Sequence, residues 1–420
     1  MVNVPDVPKA DFRLSMLIYD TRYRSLTIQV VVFLLVMAGA AWLVDNTIRN
    51  LEALGKDFNF GFLGQRAGYD ISMRLVEYTN DSTHARAMLI GLLNTLLVAA
   101  LGCIAATVIG VIVGVLRLSK NWLVGRLMTV YVEIFRNVPL LLWILLIYAV
   151  FTESMPAPNA YRPDADGVAA MSMQFFDTVA ITNRYTAVPD PLFSRSLGNI
   201  DIVIFKISVD LLALVATVVV SLMARRALLR RATAVQEATG DRPVTWWKSV
   251  LILVVPVILM LVALGFHFGY PELRGFNFVG GTNVPNSFMA LWLALSLYTG
   301  AFIAEIVRAG ILAISHGQSE AAYALGLRPG RTMNLVILPQ ALRVIIPPLI
   351  SQYLNLTKNS SLAIAVGYLD LRGTLGGITL NQTGRELEAV LLMMLIYLAL
   401  SLSISAVMNV YNASVKLKER

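Results

Sequence analysis

Long uninterrupted apolar runs recur along the whole chain, separated by polar and charged segments. A helix needs about 20 mostly apolar residues to cross the hydrocarbon core of a bilayer, so runs of this length predict membrane-spanning helices. Five runs contain no Asp, Glu, Lys or Arg, and three others contain one or two such residues. The eight predicted spans are 27–44, 87–116, 127–150, 202–224, 249–269, 282–304, 332–357 and 389–415.

This pattern predicts an all-α integral membrane protein with about eight transmembrane helices. An even number of spans places both termini on the same side of the membrane. The first run contains Ala38-Gly39-Ala40, which is similar to a signal-peptide cleavage site. However, the 26-residue charged leader and the 18-residue apolar run are both long for a cleaved signal, so we expect a retained helix.

Composition excludes the main soluble classes. Hydrophobic residues make up 57% of the 420 residues and charged residues only 14%, against about 25% charged residues in a typical soluble domain. Cys103 is the only cysteine and lies in an apolar run, so a disulfide scaffold is excluded as well. The net charge of +8 is better explained by basic loops facing the cytoplasm than by a nucleic-acid partner.

The distribution of basic residues predicts the orientation of the chain in the membrane. They are concentrated before the first span, after the last span and in every second loop, whereas the segment 45–86 contains more acid than base. The positive-inside rule therefore predicts that both termini are cytoplasmic. The basic residues are Lys9, Arg13, Arg22, Arg24, Arg117, Lys120, Arg126, Arg225, Arg226, Arg230, Arg231, Arg242, Lys248, Arg328, Arg331, Lys416, Lys418 and Arg420.

Between the sixth and seventh spans, residues 315–330 read as a short capped helix on a cytoplasmic loop. We expect Ser319 as the N-cap and Glu320 in the first turn, where the helix dipole favours an anion. Gly326 suits the left-handed C-terminal position. Tyr323 and Leu327 are one turn apart and share a face. So short a helix needs a partner surface, although an ordinary turn between spans would contain the same caps.

The spacing within this loop is more specific than its caps. Glu320-Ala321-Ala322, Gly326 after three residues, Val336 after nine more and then Leu338-Pro339 resemble the signature loop of ABC importer permeases. In that family the loop forms a coupling helix that docks into a cytoplasmic ATPase. The resemblance implies that the ATPase-coupling residues are Ser319, Glu320, Ala321, Ala322, Tyr323, Gly326 and Leu327.

Other segments resemble the polar amino acid branch of these permeases. They include Asn94-Thr95-Leu96, residues 131–139, residues 304–310 and Lys358-Asn359-Ser360-Ser361-Leu362. The chain resembles the larger permease subunits of general L-amino-acid uptake systems, whose type I core is interrupted by an insertion with two extra spans. The implied division is 1–88 (tail, first helix and periplasmic segment), 89–151 (core), 152–285 (insertion), 286–414 (core, with coupling loop 315–339) and 415–420 (tail).

The resemblance implies an importer of amino acids, with glutamate, glutamine, aspartate and asparagine foremost. Its partners would be a homologous second permease, two ATPase subunits carrying Mg-ATP, a periplasmic amino-acid-binding protein and membrane lipid. The chain itself has no phosphate-binding loop and no His/Cys metal cluster, so we expect no cofactor, metal or catalytic residue in it. A secondary transporter driven by an ion gradient is the alternative, and a membrane-embedded enzyme a weaker one.

Charged residues within spans mark candidate sites for a zwitterionic solute. Arg136 is a candidate partner for the solute carboxylate and Glu305 for its ammonium group, with neutral hydrogen bonds from other polar residues. The alternative is structural, because Glu133 with Arg136 and Glu305 with Arg308 are spaced to form ion pairs within one helix. The complete candidate pathway is Asn94, Thr95, Glu133, Arg136, Thr299, Glu305 and Lys358.

Overall fold

The computed structural model describes residues 16–53, 55, 57–163, 170–202 and 205–415. Lys9, Arg13 and the basic tail 416–420, which contribute to the predicted orientation, lie outside these ranges. The helices are α1 (Met16–Tyr19), α2 (Thr21–Ala53), α3 (His84–Leu116), α4 (Trp122–Asn137), α5 (Leu140–Ala149), α6 (Gln174–Asp177), α7 (Val209–Thr239), α8 (Trp246–Ala263), α9 (Asn286–Leu312), α10 (His316–Ala324), α11 (Pro329–Thr332), α12 (Leu338–Asn359), α13 (Leu380–Thr383) and α14 (Glu386–Val415).

Among the described residues, seven helices are long and apolar enough to cross a membrane, and a bent helix pair raises the number to eight. The prediction of a mainly helical protein with about eight spans is therefore confirmed. The chain divides into two compact units, Met1–Gly61 and Phe62–Arg420. The first unit contains α2, whose apolar window has no buried residue within it, and the second contains all the remaining spans.

The second unit is built on the close packing of α3 against α9. Small residues in α3 make this possible: a Cβ added at Gly110 would lie 2.5 Å from Cβ of Ile303, and one at Gly114 would lie 2.7 Å from the carbonyl oxygen of Ala304. Small residues spaced by four allow helix backbones to approach closely in membranes. Helices α5 and α12 pack on the same core, which contains the fully buried Ile144 and Leu356.

The predicted span 127–150 corresponds to a bent pair of helices rather than to one continuous helix. Helices α4 and α5 meet at an angle of 105°. Pro139 has no N–H to donate, and a proline disfavours helical backbone in the residue before it. Val138 is accordingly extended, with φ −104° and ψ 133°. The bend separates Glu133 and Arg136 on α4 from the apolar helix α5.

The Pro-rich composition of the loop 151–200 predicts irregular structure, but this loop and the other segments that flank the two inserted helices contain paired strands. In the described ranges β2 lies between β1 and β9, and the other pairs are β3 with β6, β4 with β5 and β7 with β8, all antiparallel. The strands are β1 (Ala180–Ile181), β2 (Tyr185–Val188), β3 (Asp190–Phe193), β4 (Asn199–Ile202), β5 (Phe205–Ser208), β6 (Phe266–Gly269), β7 (Glu272–Arg274), β8 (Asn277–Val279) and β9 (Thr282–Pro285).

These strands also correct the ends of three predicted spans. Residues 205–208, 266–269 and 282–285 were assigned to spans by hydropathy but form β5, β6 and β9. Helix α7 begins only after Ser208, whose side chain accepts a hydrogen bond from the amide of Leu211. Strands β2 and β3 precede the two inserted helices and pair with β9 and β6 beyond them, so the insertion closes on itself.

A buried carboxylate holds the segment between α12 and α14 in place through hydrogen bonds. Asp370 is fully buried; its Oδ1 accepts a hydrogen bond from the amide of Gly373 at 2.8 Å, and its Oδ2 accepts one from the hydroxyl of Tyr397 on α14 at 3.2 Å. The amide of the next residue, Leu371, donates to Thr95 on α3 at 3.1 Å. The segment is thus tied to two helices.

Burial raises the pKa of the Asp370 carboxyl from 3.8 to about 6. Because the pKa is raised on folding, the folded state is favoured below the unfolded pKa, and this stability is lost as pH rises through about 6. Its loss amounts to about 3 kcal/mol. The thermal midpoint of the unmodified chain should therefore fall as pH rises from 3.8 to about 6. Asp370→Asn should remove most of this fall, measured on the detergent-solubilised protein.

The matched control is Asp241→Asn, which removes an exposed carboxylate. It should leave the pH dependence of the thermal midpoint unchanged. Identical pH profiles for Asp370→Asn and the unmodified chain would show that Asp370 does not titrate in this range.

Candidate functional site

The short helix predicted between the sixth and seventh spans exists as α10, and its C-terminal end has the predicted left-handed glycine. Gly326 has φ +77°. Its amide donates to the carbonyl of Tyr323 at 2.9 Å, and the amide of Leu327 donates to the carbonyl of Ala322 at 3.1 Å. These two bonds form a Schellman motif, which satisfies the last carbonyls of the helix and turns the chain sharply away.

The predicted N-terminal end of this helix is wrong. Helix α10 begins one turn earlier, at His316, after Ser315 in extended conformation. Ser319 and Glu320 are therefore in the helix interior, and no acidic residue lies in the first turn. A favourable N-cap residue occurs at both positions, and local pattern could not decide between them because His316 and Gln318 continue a helix equally well.

The apolar side chains of α10 divide into an inner and an outer set. Ala322 is buried against the rest of the chain, and the amide of Gln340 on α12 donates to the side chain of Gln318 at 3.3 Å. On the outer side, Tyr323 is 50% exposed and Leu325 is 82% exposed. Sequence reasoning chose Leu327, which is half-buried, and missed Leu325.

A cluster of charges lies near the C-terminal ends of α3, α4 and α9. Glu305 forms ion pairs with Arg117 and, at 2.6 Å, with Arg308, and the Arg136 guanidinium lies 3.9 Å from the same carboxylate. Arg117 is only 9% exposed. Three arginines thus share one carboxylate, which leaves an excess of positive charge at the junction of the three helices.

The sequence spacing predicted two ion pairs, Glu133 with Arg136 and Glu305 with Arg308, and only the second is present. Glu305 with Arg308 is confirmed, whereas Arg136 pairs with Glu305 rather than with Glu133. Glu133 is exposed and accepts a hydrogen bond from the side chain of Asn137 at 3.2 Å. Arg136 also lies over the Phe302 ring, 5.3 Å from its centroid. Arg117 was missed as a partner, and the only local signal was its position directly after an apolar run.

The three neutral candidates are buried in the packing between helices. Asn94 is fully buried, and its amide donates to the carbonyls of Met73 and Leu369 at 2.9 Å. Thr95 is also fully buried and donates to the carbonyl of Gly91 at 3.0 Å. Thr299 is 3% exposed within α9. These contacts make Asn94 and Thr95 structural links between α3 and its neighbours in this conformation.

Lys358 is separate from the other candidates. Its exposed side chain lies in the last turn of α12, where a cation is favoured by the helix dipole. The structure therefore brings Arg136 and Glu305 together and leaves Asn94, Thr95 and Lys358 elsewhere. In the portion of the chain that is described, no group of three or more His, Cys, Asp or Glu side chains is placed to hold a metal ion.

Glu305→Gln should destabilise the protein, because it leaves Arg117, Arg136 and Arg308 close together without their carboxylate. We expect a loss of about 1–3 kcal/mol in the free energy of unfolding, measured by thermal or chemical denaturation in detergent. Glu133→Gln is the matched control and should have little effect, since Glu133 is exposed. Adding Arg117→Gln to Glu305→Gln should recover part of the loss. Equal stabilities of the two single variants would contradict the structural role of the cluster.

The chain is similar to known membrane transport proteins over its whole length. A family model described as the binding-protein-dependent transport system inner membrane component matches residues 242–417. The chain is 63% identical over 426 residues to the glutamate/glutamine/aspartate/asparagine transport system permease protein of Rhodobacter capsulatus, covering 100% of each chain.

Two further relatives are also matched almost completely. The chain is 43% identical to the general L-amino acid transport system permease protein of Rhizobium johnstonii, over 97% of this chain and 96% of the relative. It is 41% identical to a putative amino-acid ABC transporter permease protein of Escherichia coli, over 94% and 95% respectively. Nothing in these similarities supports the alternative of a secondary transporter. The chain belongs to the family of inner-membrane permease components of amino-acid ABC importers.

Proposed function

We propose that this chain is the permease subunit of an importer for glutamate, glutamine, aspartate and asparagine. The proposal is supported by the relative in Rhodobacter capsulatus, whose printed name includes these four solutes and which aligns from end to end. The broader printed name of the Rhizobium johnstonii relative, general L-amino acid transport, favours a solute range wider than one amino acid.

The proposed assembly contains a homologous second permease, two ATPase subunits that bind Mg-ATP and a periplasmic amino-acid-binding protein. The observation that carries it is the exposed outer face of α10. Tyr323 and Leu325 project from a short helix that is capped at Gly326 and anchored through Ala322. Exposed aromatic and large aliphatic side chains on a rigid element are typical centres of protein interfaces. Docking of the ATPase would bury them.

The proposed orientation has both termini and α10 in the cytoplasm. The loops that carry most of the basic residues are then cytoplasmic, as the positive-inside rule requires. The paired strands of the insertion and the segment from Phe62 to Thr83 are then periplasmic. In this orientation the sheet of the insertion faces the compartment of the binding protein, and the ATPase meets α10.

The geometry around α10 supports transmission of movement to the spans. From α11 the chain passes through a π-helical turn at Met333–Ile337 directly into α12. An apolar cleft separates this turn from the ends of α3 and α9, so the turn has room to move. Displacement of α10 by the ATPase would therefore tilt α12 relative to α9 and favour one of two states of the pathway. The cleft is lined by Val115, Leu116, Leu118, Ser119, Ile311, Met333, Ile337 and Leu338.

Of the candidate pathway residues, Arg136 has the best geometry for a solute carboxylate. Its guanidinium is about one-third exposed and can still offer donors, since Glu305 lies at the long limit of an ion pair. Glu305 is surrounded by Arg117 and Arg308, which compete with a solute ammonium group. We therefore propose that Glu305 positions Arg136 and that Arg136 meets the solute.

Removing this chain from a strain that otherwise has the complete importer should lower uptake of labelled glutamate, glutamine, aspartate or asparagine. Re-expression of the unmodified chain should restore it, and uptake of a sugar serves as the control. Unchanged uptake of all four amino acids, with loss of another class of solute, would contradict the proposed substrate class.

Gly326→Ala should weaken the attachment of the ATPase, because an L-residue in the left-handed conformation costs about 1–2 kcal/mol. This cost corresponds to a change of roughly 5–30-fold in an equilibrium. The measurement is co-purification of the ATPase together with ATP hydrolysis stimulated by the loaded binding protein. Gly330→Ala is the matched control, because Gly330 lies in the same loop with negative φ and open space around it.

Alanine is chosen because a Cβ at Gly326 meets nothing within 4 Å, so only the backbone preference changes. The strain is local to the end of α10, so the membrane-spanning helices should remain folded and the helical content of the detergent-solubilised chain should stay the same. If Gly326→Ala and Gly330→Ala retain the ATPase equally well, the coupling role of α10 is wrong.

A further inference from the structure

The two inserted helices form a hairpin that is largely separate from the permease core. Helix α7 packs chiefly against α8, and the other substantial contacts of the pair are with β4, β5 and β6. Only Asp210, Ser221 and Ala232 of α7, and Ser249 of α8, are buried. Apolar side chains are exposed on both helices, so most of the surface of the hairpin is available to lipid.

Helix α7 is longer than the membrane requires. Its 31 residues extend for about 46 Å, whereas the hydrocarbon core is about 30 Å thick. The start of α7 is fixed by Asp210, which accepts hydrogen bonds from the hydroxyl of Ser196 at 2.6 Å and from the amide of Leu197 at 2.8 Å. The surplus length must therefore emerge at the other end, which begins at Arg225.

That other end, residues 225–248, carries six cations and two carboxylates, and we call it the polybasic end of the hairpin. Five of the cations are exposed, and Arg225 is half-buried. In the described part of the chain, none of the six forms an ion pair. The cations are Arg225, Arg226, Arg230, Arg231, Arg242 and Lys248, and the carboxylates are Glu237 and Asp241.

Aromatic residues place the polybasic end at the boundary between lipid and water. Trp246 and Trp247 begin α8 and are 72% and 46% exposed. Tryptophan is enriched at the headgroup level of membranes, because its ring is apolar and its N–H is polar. The ammonium group of Lys248 lies over the Trp247 ring, 5.3 Å from the centroid. Charge and aromatic rings therefore meet at one level of the hairpin.

We propose that the polybasic end binds the headgroups of anionic phospholipids in the leaflet that it faces. Unpaired cations directly beyond the apolar part of a helix attract anionic headgroups, each contributing to the affinity. Positive charge in the loop would suffice to orient the hairpin, but orientation alone requires neither the extended helix nor the tryptophans beside it. Placement of this leaflet on the cytoplasmic side rests on the orientation proposed above.

Anionic lipid bound there would hold the distal end of the hairpin at the membrane surface. The near end is already tied through Asp210 to the strands of the insertion. Fixing both ends sets the tilt of α7 in the bilayer, since tilt is determined by packing and by interfacial anchors. The insertion would then keep a constant position along the membrane normal beside the permease core.

The test uses the full chain in phosphatidylcholine vesicles that contain equal mole fractions of brominated phosphatidylglycerol or brominated phosphatidylcholine. Bromine quenches the fluorescence of nearby tryptophan. The contribution of Trp246 and Trp247 is the difference between the unmodified chain and Trp246→Phe/Trp247→Phe. We expect phosphatidylglycerol to quench this contribution about threefold more strongly than phosphatidylcholine, and raised ionic strength to lower the ratio.

Arg230→Gln/Arg231→Gln should bring the ratio close to one, whereas Arg230→Lys/Arg231→Lys should preserve most of it. The matched control, Arg184→Gln/Arg195→Gln, removes two exposed cations from the strand region and should leave the ratio unchanged. Equal quenching by the two lipids, or a ratio that survives the glutamine pair, would overturn the proposal. A third outcome would also overturn the proposal. If Arg230→Gln/Arg231→Gln loses the ATPase from the assembled transporter while the quenching ratio is unchanged, the polybasic end binds a protein partner instead.

The quenching ratio requires neither transport nor the ATPase, so it can fail while the proposed import function stands. Conversely, a chain that imports a different class of solute would still show the lipid preference.

Discussion

The backbone contact between α3 and α9 at Gly110 and Gly114 is the constraint on which the remainder of the permease core depends. Lipid supplies no hydrophobic drive between helices, so the pair is held by van der Waals packing, which requires close approach. Any side chain at these glycines would overlap Ile303 or the backbone at Ala304. The same contact brings Arg117, at the end of α3, beside Glu305.

Helix α9 links the two functional ends of the molecule. At its start, the Asn286 amide donates to the carbonyl of Thr182, which joins the helix to the strands of the insertion. Near its other end, Glu305 forms ion pairs with arginines from three helices. The chain then continues through Ser315 into α10. One helix, α9, therefore connects the insertion, the charge cluster and the loop that carries α10.

The insertion adds a second architecture to this core. Its strands pair across the two inserted helices, so β2 with β9 and β3 with β6 act as a closure at the base of the hairpin. Since α7 and α8 contact the core only weakly, their position depends on this closure and on the lipid around them.

The sequence by itself determined the approximate positions of the helical spans, the short helix between the sixth and seventh spans and the left-handed Gly326, because each depends on the local order of apolar residues, glycine and proline. Pro139 also indicates the bend between α4 and α5, because proline interrupts a helix. The assignment of spans by hydropathy did not take it into account. Only the tertiary structure decided that Glu305 pairs with Arg117, 188 residues away. The same is true of Asn94, whose amide donates to the carbonyl of Leu369, and of Thr95, whose hydroxyl accepts from the amide of Leu371. It is also true of the short strands β2 and β3, whose partners lie beyond two helices. Pairing between remote segments depends on how the helices pack, and that packing is not written in any local pattern.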